Sequence, residues 1–334
     1  MSVELKGISV EPGRKTSGVI HVAERLDGTS IGFPITIING GSGPKLFLLA
    51  GVHGDEVGGP ETALRLIREL DPKDVRGTLI IVPVANTTAF EAGTHVSPTD
   101  GKDLNRSFPG QPQGTLTDRL AHVFFSVVTS TLSSKDFLID LHSGGKQSYI
   151  EYSEVEEHAA VQRKLADASG VRIVDRIVPE FGEGGVSWTK IYAGTLGDAL
   201  QAKGFKIPHI TIESFEPYPY VTNILKHVGI LSGAPTPEKE RFFVEGTRVF
   251  ASKPGLWVRV AEEGALVKKG NLLANVLNFK GEVIEEIRSP LDGIVIINGE
   301  VGRAGGAGKK VVDPNSGVLG IRYGANVGRI LERA

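Results

Sequence analysis

The sequence predicts an α/β fold, in which a mixed, largely parallel sheet flanked by helices precedes a smaller all-β domain. Three observations carry this. Apolar runs of strand length recur between segments with helical periodicity, the alternation expected of a layered α/β domain. Candidate chemical residues fall at the carboxyl ends of those runs, where open parallel sheets gather ligands. Beyond the Gly- and Pro-rich stretch 232–237, helical periodicity stops and short β-like runs separated by glycines take over.

The elements follow in order. Residues 1–44 alternate short β-like runs with Gly and Pro turns. Leu46 to Ala50 is a buried strand by length and flanks, and it turns through Gly51-Val52-His53-Gly54-Asp55-Glu56. Pro60, suited to a first helical turn, opens a helix expected to bury Ala63, Leu64, Ile67 and Leu70. Thr78–Val84 reads as a second buried strand, and Thr117–Leu132 as a helix with Leu120, Val123, Phe124, Val127 and Val128 at helical spacing. The strand Phe137–Leu141 ends in His142-Ser143-Gly144-Gly145. Helices over Val155–Ala168 and Thr195–Ala202, the strand His209–Glu213 and a helix over Tyr220–Val228 complete a catalytic domain of residues 1–235. Residues 236–334 form the β domain, a barrel-like cap on the active site in this reading. Its stretches around Gly264–Gly270 and Ser289–Val295 resemble pieces of a biotinyl or lipoyl domain. Lys280, in Asn278-Phe279-Lys280-Gly281, does not match the modification motif, so a carrier role is not expected.

Composition narrows the function. With 334 residues, 40% hydrophobic and 23% charged, the chain is of soluble globular type. A net charge of −2 gives no reason to expect nucleic acid or an anionic membrane as partner. There are no cysteines, which rules out disulfides and a thiolate metal site and suits a cytoplasmic protein. No apolar run approaches bilayer length, and the amino terminus lacks a secretory signal.

His53 and Glu56, three positions apart after a strand, are a plausible pair of zinc ligands, because zinc accepts both donor types. Alone, the pair is as common as any two polar residues in a tight turn. A second strand ending in His142 supplies a third donor, and Asp140 on that strand is a candidate partner for an imidazole. Asn105-Arg106, in Asp103-Leu104-Asn105-Arg106-Ser107-Phe108-Pro109-Gly110, offer an amide and a guanidinium fork suited to a carboxylate. Glu213 ends the strand from His209 and is placed to act as general base, with Glu216 a weaker substitute.

Taken in order, His53, Glu56, Asn105-Arg106, His142 and Glu213 closely resemble the succinylglutamate desuccinylase/aspartoacylase family, within the zinc carboxypeptidase superfamily. The resemblance covers the catalytic domain and extends to the plan of the β tail. It implies a zinc carboxypeptidase-like fold and one zinc ion per chain, held by His53, Glu56 and His142. It further implies Glu213 as base with a zinc-bound water as nucleophile, and Asn105 and Arg106 on the substrate carboxylate. The reaction implied is hydrolysis of a small N-acyl amino acid, with deacetylation of an N-acetylated diamino acid among the options. Many relatives carry a carbonyl-polarising arginine shortly before the Asp-Leu-Asn-Arg motif. Here the corresponding stretch offers His95 as a tentative oxyanion contact.

Other histidines take structural readings: His21, His122, His158, His209 and His227 lie in strands or on helices away from the motif. Arg176, Lys190 and Tyr192 are of the kind that acyl recognition uses, without spacing that singles them out. Two other readings stay open: a metallocarboxypeptidase, which needs an open groove, and a catalytically silent binding protein of the same fold. Oligomeric state, a homo-oligomer included, is not legible.

Overall fold

The computed structural model describes residues 2–143, 148–153, 159–177, 194–236, 242–249, 251–290, 292–297, 301–304 and 319–323. Two compact units emerge. The first comprises Met1–Ser143, Ile150–Val171 and Val178–Glu238; the second comprises Gly144–Tyr149, Arg172–Ile177 and Lys239–Ala334.

The first unit opens with a small antiparallel pair, β1 (Val3–Leu5) and β2 (Ile8–Val10). A long hairpin of β3 (Arg14–Glu24) and β4 (Ser30–Asn39) follows, then β5 (Lys45–Ala50), α1 (Gly58–Glu69), β6 (Thr78–Val82) and α2 (Thr87–Ala92). Next come α3 (Leu116–Thr131), β7 (Phe137–His142), β8 (Tyr149–Ser153) and α4 (Ala159–Ser169). After β9 (Ile173–Ile177), which lies in the second unit, the chain forms α5 (Leu196–Ala202), β10 (His209–Glu213) and α6 (Tyr218–His227). The strand order is β10-β7-β5-β6-β4-β3. The pairs from β10 through β6 are parallel, whereas β4 joins β6 and β3 antiparallel. Thr78–Val82 is buried at every position, as a parallel strand covered on both faces must be, which is why it reads as an unbroken apolar run.

Helix α3 starts where the Asp118 carboxylate reaches back to the Thr115 amide at 3.0 Å, satisfying a donor that the helix itself leaves unpaired. It buries Leu120, Phe124, Val127 and Val128, and Phe124 stacks on Phe33 with centroids 3.9 Å apart. Helix α1 begins at Gly58, two residues before Pro60, and its buried face runs through Thr62, Ala63 and Leu66. Leu64, expected inside, is 54% exposed. The reason lies at the helix start. A Cβ on Gly59 would stand 2.9 Å from the Leu141 side chain, and one on Gly58 2.4 Å from the Phe215 carbonyl. This close seating of two glycines, not the apolar periodicity downstream, sets the helix rotation.

The helix expected from Val155 is observed from Ala159, with 154–158 outside the described residues. Strands β8 and β9 and helix α2 were not expected. No helix among the described residues is long and apolar enough to cross a membrane.

The second unit holds β11 (Phe242–Val249), β12 (Gly255–Arg259), β13 (Leu266–Val267), β14 (Leu272–Leu277), β15 (Val283–Arg288), β16 (Gly293–Ile297), β17 (Val301–Ala304) and β18 (Leu319–Tyr323). One sheet runs β15-β14-β12-β17, all antiparallel. Its core gathers Trp257, Leu273, Ala274, Val276, Ile287 and Val295. Strand β11 pairs antiparallel with β18 and parallel with β9, so a segment from the middle of the chain belongs to the carboxyl-terminal unit.

Candidate metal centre

Three adjacent parallel strands deliver the candidate ligands and the candidate base at their carboxyl ends. Beyond β5 the chain turns at Gly51, whose φ of +64° is a left-handed conformation that suits glycine. Gly54 then passes so close to α2 that a Cβ there would lie 2.1 Å from the Ala89 carbonyl. This tight loop carries His53 and Glu56 back over the sheet edge. His142 is the last residue of β7, and Glu213, the last of β10, is its register partner. Register partners on neighbouring strands project to the same face, which puts the Glu213 carboxylate on the His142 side.

His53, Glu56 and His142 are 6%, 8% and 2% exposed, and their donor atoms lie within 4.8 Å of one another. Glu56 Oε1 is 2.9 Å from His53 Nδ1, and Oε2 is 2.9 Å from His142 Nδ1. The two Nδ1 atoms are 3.2 Å apart. Donors at roughly 2.0–2.2 Å from a tetrahedral zinc stand ~3.3–3.6 Å from each other, so a small expansion of this cluster matches such an ion. The outer ring nitrogens are held as metal-binding imidazoles require. His53 Nε2 meets Asp103 Oδ1 at 3.2 Å, and His142 Nε2 meets Asp140 Oδ2 at 3.3 Å. Each histidine therefore turns Nδ1 inward and spends Nε2 on a carboxylate. Asp140 Oδ1, Asn105 Oδ1 and Ser143 Oγ are buried without a partner among the described residues, which leaves polar capacity around the cluster. The donor set fits zinc.

Electrostatics couple the group. Burial opposes a charge on His53, but hydrogen bonds to Asp103 and Glu56 outweigh it and raise its pKa to about 9. Burial likewise opposes a charge on His142, yet Asp140 and Glu56 push its pKa well above the ordinary value. Asp103, despite its burial, is held down to about 2 by His53, Arg106 and the Asn105 amide.

Asn105 and Arg106 lie on a 3-10 turn, Leu104–Arg106, anchored by buried Leu104. The Asn105 amide nitrogen is 3.5 Å from His142 Nε2, whereas the exposed Arg106 guanidinium donates to the Asn105 carbonyl at 2.7 Å. Both flank the cluster, but their side chains point in different directions, Asn105 inward and Arg106 toward solvent. His95 stacks face to face on His53, with centroids 3.6 Å apart at 19°, and its Nδ1 is 3.2 Å from Asp55 Oδ1. A carboxylate partner selects the Nδ1–H tautomer and leaves Nε2 of a neutral ring as an acceptor. The oxyanion role expected of His95 therefore requires its protonated ring, which burial and the charge on His53 disfavour.

Two residues at the site escaped the sequence reading. Asp103 opens the Asp-Leu-Asn-Arg motif, and Asp55 sits inside His-Gly-Asp-Glu, where residue type alone assigns neither a role. Their position between or beside candidate ligands was the available signal. His158, Lys190 and Tyr192 lie outside the described residues, as does the side chain of Arg176.

Comparison with known proteins finds relatives among deacylases and their structures. Residues 42–180 match the family model for the succinylglutamate desuccinylase/aspartoacylase catalytic domain. Over 139 residues the chain is 40% identical to N-alpha-acetyl-L-2,4-diaminobutyric acid deacetylase from Halomonas elongata, a match covering 41% of this chain and 40% of that relative. The chain thus spans about two fifths of the length of that curated relative. Among solved structures, the product-bound ectoine utilization protein EutE (DoeB) from Ruegeria pomeroyi aligns with a TM-score of 0.77 at 27% identity, covering 94% of this chain and 96% of that one. A succinylglutamate desuccinylase from Silicibacter sp. TM1040 gives 0.74 at 25% identity over 93% and 96% of the two chains. A succinylglutamate desuccinylase/aspartoacylase from Rhodobacter sphaeroides, at 23% identity, shares the fold with a TM-score of 0.76 over 94% and 98%.

Proposed function

We propose, from the match of residues 42–180 to the family model for the succinylglutamate desuccinylase/aspartoacylase catalytic domain, that this chain is a zinc-dependent deacylase that hydrolyses the amide of a small N-acyl amino acid. The observation that supports it most is the buried convergence of His53, Glu56 and His142 at the ends of adjacent strands. In this reading Nδ1 of each histidine and the Glu56 carboxylate hold one zinc ion per chain. When bound, the ion supplies positive charge that acidifies water and polarises an amide carbonyl. Glu213 accepts one proton of the attacking water and passes it to the departing nitrogen, so the amine leaves neutral and the acyl group leaves as the carboxylic acid, which then gives its remaining proton to the amine or to solvent. Arg106 and Asn105 bind and orient the substrate carboxylate. Asp103 and Asp140 keep the imidazoles turned inward. The name of the Halomonas relative favours an N-acetylated diamino acid as substrate.

The test is amine release from a panel of acetyl, succinyl and aspartyl amino acids and short peptides, each with and without a chelator. Chelator-sensitive release from small N-acyl amino acids is expected. Release only from peptide carboxyl termini would move the assignment to a carboxypeptidase, and silence in zinc-loaded protein would overturn it. Glu213→Gln is expected to keep its zinc and lose roughly 10²–10⁴ in kcat. Full turnover in that variant would remove Glu213 as the base.

A further inference from the structure

We propose that Asp55 is the specificity-determining residue of this site. Its carboxylate receives a free ammonium group on the substrate, so that N-acyl diamino acids are preferred over analogues with neutral side chains. This rests on the deacylase reading and deepens it by naming the group that selects the substrate.

The carboxylates around the cluster divide by what they do. Asp103 hydrogen-bonds His53 and the Asn105 amide, Asp140 meets His142, and Glu56 lies between both rings. Each of these is committed to the cluster and mostly buried. Asp55 differs. It lies between two candidate ligands in sequence, and its carboxylate, that of Glu56 and a ring nitrogen of His95 fall within 4.8 Å of one another. Yet 47% of its side chain is exposed, and among the described residues its side-chain hydrogen-bond partner is His95, through Oδ1 alone. The second oxygen therefore has acceptor capacity to spare on a half-exposed side chain. No lysine or arginine among the described residues pairs with it.

A carboxylate in that position repels a substrate's own carboxylate and attracts a cation. Arg106 supplies a charge of the opposite sign: an exposed guanidinium near Asp103, suited to a carboxylate. A ligand with one carboxylate, one amide and one ammonium would satisfy both charges. A ligand without the ammonium would leave Asp55 to solvent. Sites that hydrogen-bond a polar substrate group reject analogues lacking it far more strongly than apolar pockets reject a missing methylene.

Asparagine at this position separates charge recognition from support of His95, because Asp55→Asn keeps an oxygen for the His95 Nδ1–H and removes only the charge. The experiment uses the full zinc-loaded chain with Nα-acetyl-2,4-diaminobutyrate and its side-chain-neutral analogue Nα-acetyl-2-aminobutyrate. In Asp55→Asn the ratio of kcat/KM for the cationic over the neutral substrate is expected to fall at least about tenfold, chiefly through KM. An unchanged ratio, with both substrates hit equally or neither, would overturn the proposal and leave Asp55 a support for His95. Calorimetric binding of the free products, 2,4-diaminobutyrate against 2-aminobutyrate, provides a readout independent of turnover. A wild-type chain that cleaves neither substrate, yet prefers the diamino product and loses that preference in Asp55→Asn, upholds the ammonium site while removing the deacylase reading. Equal wild-type affinity for the two products overturns the ammonium site.

Discussion

At the residue scale, the behaviour of the cluster turns on who holds the outer nitrogen of each imidazole. Asp103 serves His53, and Asp140 serves His142. Removing such a partner loosens the ring and lowers its basicity, typically costing 10–100-fold in metal affinity. Asp103→Ala is therefore expected to weaken zinc binding by about one to two orders of magnitude, measured by competition with a chelating dye. Unchanged affinity would leave Asp103 a mere helix cap. The same contacts set a pH dependence. His53 titrates at about 9 in the metal-free fold, against about 6.5 in an unfolded chain. A raised pKa stabilises the fold fully below the unfolded value, and that contribution disappears as pH rises through the folded value. Metal-free protein is thus expected to lose denaturation midpoint between about pH 6.5 and 9, and zinc-loaded protein to show no such loss. Zinc must displace these protons, so its apparent affinity should weaken as pH falls below about 9, by up to about tenfold per unit for each proton displaced. An affinity independent of pH across that window would take His53 out of the ligand set.

At the element scale, the site depends on a loop squeezed between a strand and two helices. Gly54 has no space for a side chain, because the Ala89 backbone occupies the place of its Cβ. Backbone cannot swing aside as a flexible side chain can, so Gly54→Ala is expected to destabilise by about 1–3 kcal/mol or more and to loosen zinc binding with it. A thermal midpoint equal to wild type would show that the loop can shift freely. Much of this level was legible in advance. The strands ending at Ala50 and His142 were readable as largely apolar buried runs, and the strand ending at Glu213 by the alternation of Ile210 and Ile212 with polar residues. The face of α1 was not, because Leu64 continues the apolar pattern while the rotation is set by glycine packing at the other end. Strand β9 was missed for a related reason. Ile-Val-Asp-Arg-Ile is short and half polar, and it pairs with Phe242–Val244, some seventy residues away.

At the scale of the whole molecule, the chain is not two units joined end to end. Segments 144–149 and 172–177 leave the first unit's sequence and join the second. Truncation after residue 238 would remove the strand that pairs with Ile173–Asp175 and leave an unpaired edge, which invites association. Such a fragment is expected to aggregate and to be cut by protease around 172–177, as measured by light scattering and limited proteolysis. A monomeric, resistant fragment would mean that Ile173–Ile177 does not need β11 to stay protected.

The sequence by itself determined the class of fold, the strands that end at the site and the identity of the three candidate ligands, because each depends on local periodicity or on residue type. It also contained Asp103 and Asp55, but gave them no role. Only the tertiary structure decided that Asp140 faces His142, that Asp103 faces His53 and that Asp55 keeps an exposed oxygen beside the cluster. Those are matters of which side chain points where, across separations of up to fifty residues. They follow from side-chain direction at the end of β7 and from loop closure, which brings Asp103 to His53 and Asp55 to His95 across forty to fifty residues.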